Sequence, residues 1–142
     1  MAKEKILIVA VKKFDDNDAR FQSSVEELKS LSHTAGGIVI ESVIQNRRQI
    51  HPVTYVGEGK VEEIKLLIDA HEIDLVITND ELSPGQLRNL NDYFGVRVID
   101  RSQLILDIFA KRAKTKEGQL QVELAQLQYM LPRLHGMGTV LS

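Results

Sequence analysis

The sequence contains no cysteine and no tryptophan, and only three of its 142 residues are prolines. The lack of cysteine excludes disulfides, cysteine-ligated zinc, iron–sulfur clusters and a thiol nucleophile. The longest uninterrupted apolar run, Ile6–Val11, has six residues, whereas a membrane-spanning helix needs about 20. The first five residues lead into no hydrophobic region of signal-peptide length. We therefore expect a cytoplasmic protein with no membrane partner.

The charge that is present is unevenly distributed. Residues 1–100 carry 12 basic and 17 acidic side chains, a net charge of −5, whereas residues 101–142 carry six basic and three acidic ones, a net charge of +3. A net charge of −2 for the whole chain therefore hides a basic segment beside an acidic one. We divide the chain into a parallel α/β subdomain at 1–100, a long helix at 101–134 and a glycine-containing loop at 135–142.

Residues 1–100 have the pattern of an α/β layer. Short runs rich in β-branched residues predict four strands, at residues 5–11, 38–44, 73–78 and 96–99. Amphipathic stretches separate them, and the segment from Ser83 to Gln86 forms a capping box with proline at the first helical position. The alternation predicts a small parallel four-stranded sheet with flanking helices and right-handed crossovers.

The remaining residues have the pattern of a helical arm. We expect one helix from Asp100 or Ser102 to about Leu131, where Pro132 should stop it. Such a helix would be roughly 45 Å long at 1.5 Å per residue, too long for the sheet to cover. Its stripe of apolar side chains therefore needs another partner. We predict either self-association of the chain through this stripe or fraying after about Ala113.

Gly57, Gly59 and Lys60 form a glycine-rich loop before a predicted helix. Such a loop can bind phosphate, which would suit a nucleotide such as ATP. The pattern is not a P-loop, because Thr54 and Val61 stand where that motif requires glycine and Ser or Thr. A tight turn into a helix capped by acidic residues is the alternative, since glutamates crowd the same terminus.

A second candidate site is basic. Four of the six residues in the segment 111–116 are basic and none is acidic, namely Lys111, Arg112, Lys114 and Lys116. Arg47 and Arg48 lie in the loop predicted after the second strand, and Arg101 lies near the start of the arm. Lysine and arginine neutralise nucleic-acid phosphates and release counterions. The sequence therefore predicts a polyanion-binding surface, with a merely solvated helix face as the alternative.

The other polar groups point to no particular chemistry. Asp80 and Glu81 follow the third predicted strand, where open α/β sheets place their sites, but we interpret them as turn and capping residues. The four histidines are scattered and form no ligand motif. We assign no catalytic residue and no metal ligand.

Four blocks of the sequence carry a family resemblance. They are Thr54–Glu63, Asp80–Leu90, Val98–Arg101 and the helical block from Leu104 to Tyr129. These blocks resemble the amino-terminal region of the HflX-type ribosome-associated GTPases. The resemblance extends from about residue 25 to the end of the chain.

The resemblance implies a function that the residues alone do not. It implies a domain that binds the large ribosomal subunit and its rRNA, in proteins that separate or rescue ribosomes under stress. It also implies that the arm is the first half of an antiparallel helical hairpin. The second half of the hairpin and a GTPase domain that binds GTP and Mg²⁺ would then both follow Ser142. That GTPase domain would be a partner of this one, and ATP remains a candidate ligand of the Gly57–Lys60 loop.

Overall fold

The computed structural model describes residues 2–136. All four predicted strands are present and parallel, in the order β2-β1-β3-β4. The strands are β1 (Lys5–Lys13), β2 (Ile38–Arg47), β3 (Leu75–Thr78) and β4 (Arg97–Asp100). The helices are α1 (Asp18–Thr34), α2 (Glu58–His71), α3 (Pro84–Phe94), α4 (Arg101–Arg112) and α5 (Lys116–Gly136). The prediction of a parallel four-stranded α/β sheet is confirmed.

The helices cover the sheet on both faces. On one face, Ile6 and Ile8 of β1 pack with Leu28 of α1 and Leu104 of α4. On the other face, β1 packs against α2 and α3, in a core that includes Ile64. This arrangement explains why β1 reads as a continuous apolar run, since it is buried on both sides. The chain leaves β1 toward β2 on one side of the sheet and leaves β3 toward β4 on the other side. The adjacent carboxyl ends of β1 and β3 therefore form the topological switch point of the sheet.

Side-chain caps fix where three helices begin. The Asn17 side chain accepts a hydrogen bond from the Arg20 amide at the start of α1. The capping box predicted at Ser83 is confirmed, since Ser83 and Gln86 each accept from the other's backbone amide. Asp100 caps α4 by accepting from the amide of Gln103 at 3.0 Å. Each such cap is worth about 1 kcal/mol.

The prediction of one unbroken helix from residue 100 to about Leu131 is wrong in two respects. First, the helix breaks after Arg112 and restarts at Lys116. Ala113 adopts an extended backbone, and Thr115 takes the capping role, accepting at its hydroxyl from the Gly118 amide at 3.0 Å.

Second, Pro132 lies inside α5 instead of ending it. Proline removes one backbone hydrogen bond from a helix interior, so the next residues need other support. Arg133 supplies that support, because its guanidinium donates to the Tyr129 carbonyl and to the Leu82 carbonyl, each at 2.7 Å. The helix therefore continues to residue 136; of the predicted loop at 135–142, residues 137–142 lie outside the described residues.

The two helices form a short antiparallel hairpin. Near the turn, Phe109 of α4 lines a groove with Val122 of α5, while Leu106 lines it beside Ala125. At the other end, Arg133 of α5 reaches Asp100 at the start of α4. Thus α5 returns along α4. The predicted pairing of this long helix with a further helix stays a prediction.

Much of the α5 surface remains apolar and exposed. Its exposed leucines are spaced four and three residues apart, namely Leu120, Leu124, Leu127, Leu131 and Leu134. This spacing is typical of a coiled-coil seam. Self-association or pairing with further helix through this seam stays a prediction. Among residues 2–136, no helix combines the length and the apolar character required to cross a membrane.

Arg133 should hold the carboxyl-terminal half of α5 against the body. Replacing Arg133 with Met removes its hydrogen bond to Leu82 and leaves the buried Asp100 carboxylate without its cation, at a cost of about 3 kcal/mol. Hydrogen exchange of the α5 amides should accelerate, while exchange in the sheet changes much less. Arg112→Met is the control, because Arg112 has no ion pair among the described residues. Equal α5 protection in the two variants would contradict this role.

Candidate nucleic-acid interface

The predicted basic segment lies at the turn of the helical hairpin. Lys111 and Arg112 end α4, Lys114 lies in the connection, and Lys116 begins α5. All four are exposed, and none forms an ion pair within the part of the chain that the structure describes. We call these four residues the basic turn. The four cations therefore lie together where α4 ends and α5 begins.

Arg101 occupies a different environment. Its guanidinium donates to the Ser24 carbonyl and to the Asn79 side-chain oxygen, both at 3.1 Å, and it also pairs with Glu27. The side chain is only 19% exposed. Arg101 therefore joins α4 to α1 and to the loop after β3. Its hydrogen-bonding capacity is largely used within the protein.

Arg47 and Arg48 lie at the end of β2, on the carboxyl edge of the sheet. Arg101 begins α4 at the same edge, and α4 then runs back toward the amino edge, where Lys111 contacts the Ala35 carbonyl. About 15 Å of helix separates Arg101 from Lys111. The structure therefore brings four of the seven predicted RNA-binding residues together and leaves three at the opposite edge.

The Gly57–Lys60 loop lies near Arg47 at that opposite edge. The Gly57 amide donates to the Gln45 side chain at 2.9 Å, and Lys60 pairs with Glu63 at 2.7 Å. An added Cβ on Gly57 would lie 2.7 Å from the Arg47 guanidinium, so the glycine allows that close approach. A phosphate would have to displace both contacts. Nucleotide binding at this loop stays a prediction.

Tyr55 organises the same edge, and sequence reasoning missed it. It adopts a left-handed backbone with φ of 65° and is completely buried. Its hydroxyl donates to Asp80 at 2.5 Å and accepts from the Val11 amide at 3.1 Å. Asp80 therefore anchors the loop that follows β2, in addition to forming a turn. The signal was weak, since the partners of the Tyr55 hydroxyl, Val11 and Asp80, are distant from it in sequence.

Comparison with known proteins decides the family. The profile described as "GTP-binding GTPase N-terminal" matches residues 22–110, and "GTP-binding GTPase Middle Region" matches residues 112–142. Proteins named GTPase HflX are similar over most of the chain. Identity is 57% over 88% of the chain for Alkalihalophilus pseudofirmus and 49% over 99% for Caldanaerobacter subterraneus subsp. tengcongensis. The chain belongs to the HflX family of GTPases.

The chain corresponds to a minor part of its HflX relatives. It spans 30% of the Alkalihalophilus pseudofirmus protein and 32% of the Caldanaerobacter protein. The structure is also similar to that of a GTP-binding protein from the archaeon Sulfolobus solfataricus in complex with GDP, with a TM-score of 0.68 and 27% identity. That alignment covers 96% of this chain and 40% of the archaeal one. The chain is thus similar to the amino-terminal region of longer GTPases.

In this HflX-family chain, a cluster of polar side chains joins the sheet to the hairpin. Asp100 is fully buried and accepts hydrogen bonds from the Leu82 amide at 2.9 Å and from the Gln103 amide. Arg133 lies 3.7 Å from the Asp100 carboxylate and stacks over the Tyr129 ring, 3.6 Å from its centroid. Burial, followed by the Asp100 carboxylate, raises the pKa of Tyr129 well above its usual range.

No metal site is evident in residues 2–136, which contain no cluster of three or more histidine or carboxylate side chains suited to one. Glu81, which we interpreted as a turn residue, lies 3.8 Å from the Arg133 guanidinium. The described residues therefore hold no evident ligand set for Mg²⁺.

Tyr55 should make the protein sensitive to alkali. Burial, followed by the Asp80 carboxylate, raises the pKa of the Tyr55 phenol well above 10 in the folded state. Above pH 10 the unfolded phenol loses its proton while the folded one keeps it, so the free energy of unfolding should fall as pH rises. Urea unfolding at stepped pH measures this. Tyr55→Phe should lower the free energy of unfolding by about 1–3 kcal/mol at neutral pH. Above pH 10, the free energy of unfolding of this variant should fall less steeply than that of the unchanged chain. An unchanged alkaline slope would contradict the assignment.

Proposed function

We propose that this chain binds the rRNA of the large ribosomal subunit through the basic turn. One observation carries the proposal: Lys111, Arg112, Lys114 and Lys116 are exposed and, among the described residues, without ion pairs at the end of a hairpin fixed to an acidic body. Cations that are already paired gain less from a phosphate, whereas unpaired cations release counterions from the RNA.

The distribution of charge also gives the interaction a direction. Residues 1–100 carry a net charge of −5, so a nucleic acid should be repelled by the body and attracted to the turn. The contacts would be made with phosphates and would position the protein without reading base sequence. Specificity for one rRNA element would then come from the shape of the RNA and from the rigid placement of the hairpin.

The family supports a wider role for the longer protein. We propose that HflX-family members use this domain to reach ribosomes that have stalled or become inactive under stress, in the cytoplasm. GTP and Mg²⁺ would bind to a GTPase domain in the remaining two thirds of the relatives' length, and that domain would be a partner of this one. Residues 1–142 contain no P-loop, so we assign them no step of GTP hydrolysis.

Neutralising the basic turn should weaken binding to large subunits. A variant with all four of its residues replaced by glutamine should co-sediment with purified large subunits less than the unchanged chain at low salt. If each cation meets one phosphate, the slope of log affinity against log salt should fall by about 3–4. Circular dichroism would show whether the helices are retained.

The matched control instead replaces four lysines of the body with glutamine, namely Lys3, Lys5, Lys29 and Lys65. This control changes the net charge by the same amount. It should therefore lose only the affinity that comes from the overall electrostatic field of the protein. Equal loss of binding in both variants would show that net charge, and not the position of the cations, determines the affinity. No loss in the basic-turn variant would overturn the proposal.

A further inference from the structure

A groove with an apolar floor lies on the face of α2 and α3. It encloses about 660 Å³ and is bounded by α2, by α3 and by the loop that follows β2. Three of its lining side chains are apolar and largely exposed: Val53 is 48%, Leu66 69% and Tyr93 59% exposed. Neighbouring exposed apolar side chains in a concave surface are typical of an interaction site.

The groove is preformed. The Gln86 side chain donates to the His51 carbonyl at 2.9 Å, and the Asn89 side chain donates to the Val53 carbonyl at 3.0 Å. Both bonds tie the loop wall to α3. A partner would therefore meet a surface that needs little ordering before it binds.

The charge at the rim of the groove is negative. Glu58 and Glu62 lie one helical turn apart on α2, both are exposed, and neither forms an ion pair among the described residues. Lys65 also lines the groove, but its ammonium group pairs with Asp69 at 3.1 Å and donates to the Phe94 carbonyl at 3.0 Å. Within residues 2–136, the two carboxylates are therefore left without a pairing cation.

We propose that this groove docks an arginine side chain of a partner protein, with an adjacent apolar residue of that partner on Leu66 and Val53. A guanidinium is planar, so it can stack on the Tyr93 ring while it donates to the carboxylates. The carboxylates repel phosphate groups, so the groove does not suit RNA. This surface is separate from the basic turn, and the docking does not depend on ribosome binding.

The test is a titration of the ¹⁵N-labelled chain with acetyl-Leu-Arg-Leu-amide, followed by NMR. The amide resonances of Val53, Leu66 and Tyr93 should shift in a saturable manner at millimolar peptide. The matched probe replaces arginine with citrulline, which has the same shape without the charge. It should bind about tenfold more weakly or not at all, because charge-assisted hydrogen bonds are the stronger ones.

Two variants locate the effect. Glu58→Gln together with Glu62→Gln should raise the Kd for the arginine peptide about tenfold, whereas Glu63→Gln on the same helix, where Glu63 pairs with Lys60, should leave it unchanged. Tyr93→Leu should weaken binding while keeping the floor apolar. The proposal is overturned by equal affinity for the two peptides, by shifts confined to other surfaces, by no saturation, or by an oligouridine RNA that shifts the groove resonances.

Discussion

The buried carboxylate of Asp100 is the constraint on which the arrangement of the chain depends. It ends β4, begins α4, and holds the loop after β3 through the Leu82 amide. A fully buried charge is costly unless it is paired and hydrogen-bonded. Arg133 supplies the cation from the far end of α5, 33 residues along the chain. One desolvated group thus couples the sheet to both helices of the hairpin.

This coupling separates two surfaces of opposite charge. The hairpin places the basic turn at the amino edge of the sheet, where Lys111 contacts the Ala35 carbonyl. At the carboxyl edge, Arg101 is paired with Glu27. A phosphate backbone and a cationic peptide would therefore meet different parts of the molecule. The family relationship is established by sequence, whereas the assignment of the basic turn to rRNA depends on this separation of charge.

The sheet was predictable because its signals are local. Apolar runs, the Ser83 capping box and the order of elements each depend on neighbouring residues, and all were confirmed. The break at Ala113 was missed because Thr115 competes with a strong helical pattern, and a single threonine is a weak cap signal. Pro132 was misjudged because the contacts that support it join Arg133 to Leu82, which is distant in sequence.

The same distinction applies to the candidate site. The cluster of basic residues at 111–116 is contiguous in sequence, so it could be found without a structure. The pairing of Arg101 with Ser24 and Asn79 joins residues far apart in sequence, and a single sequence gives no sign of it. The groove between α2 and α3 likewise depends on how two helices pack, which periodicity does not specify.

A distance measurement between the body and α5 tests most directly whether Asp100 fixes the hairpin. Since the chain has no cysteine, spin labels attached through Ser30→Cys and Glu123→Cys would report only those two sites. Electron–electron double resonance should give one narrow distance distribution. Adding Asp100→Asn should broaden it, because the neutral amide no longer holds the Arg133 cation. An equally narrow distribution in the Asp100→Asn variant would contradict the account.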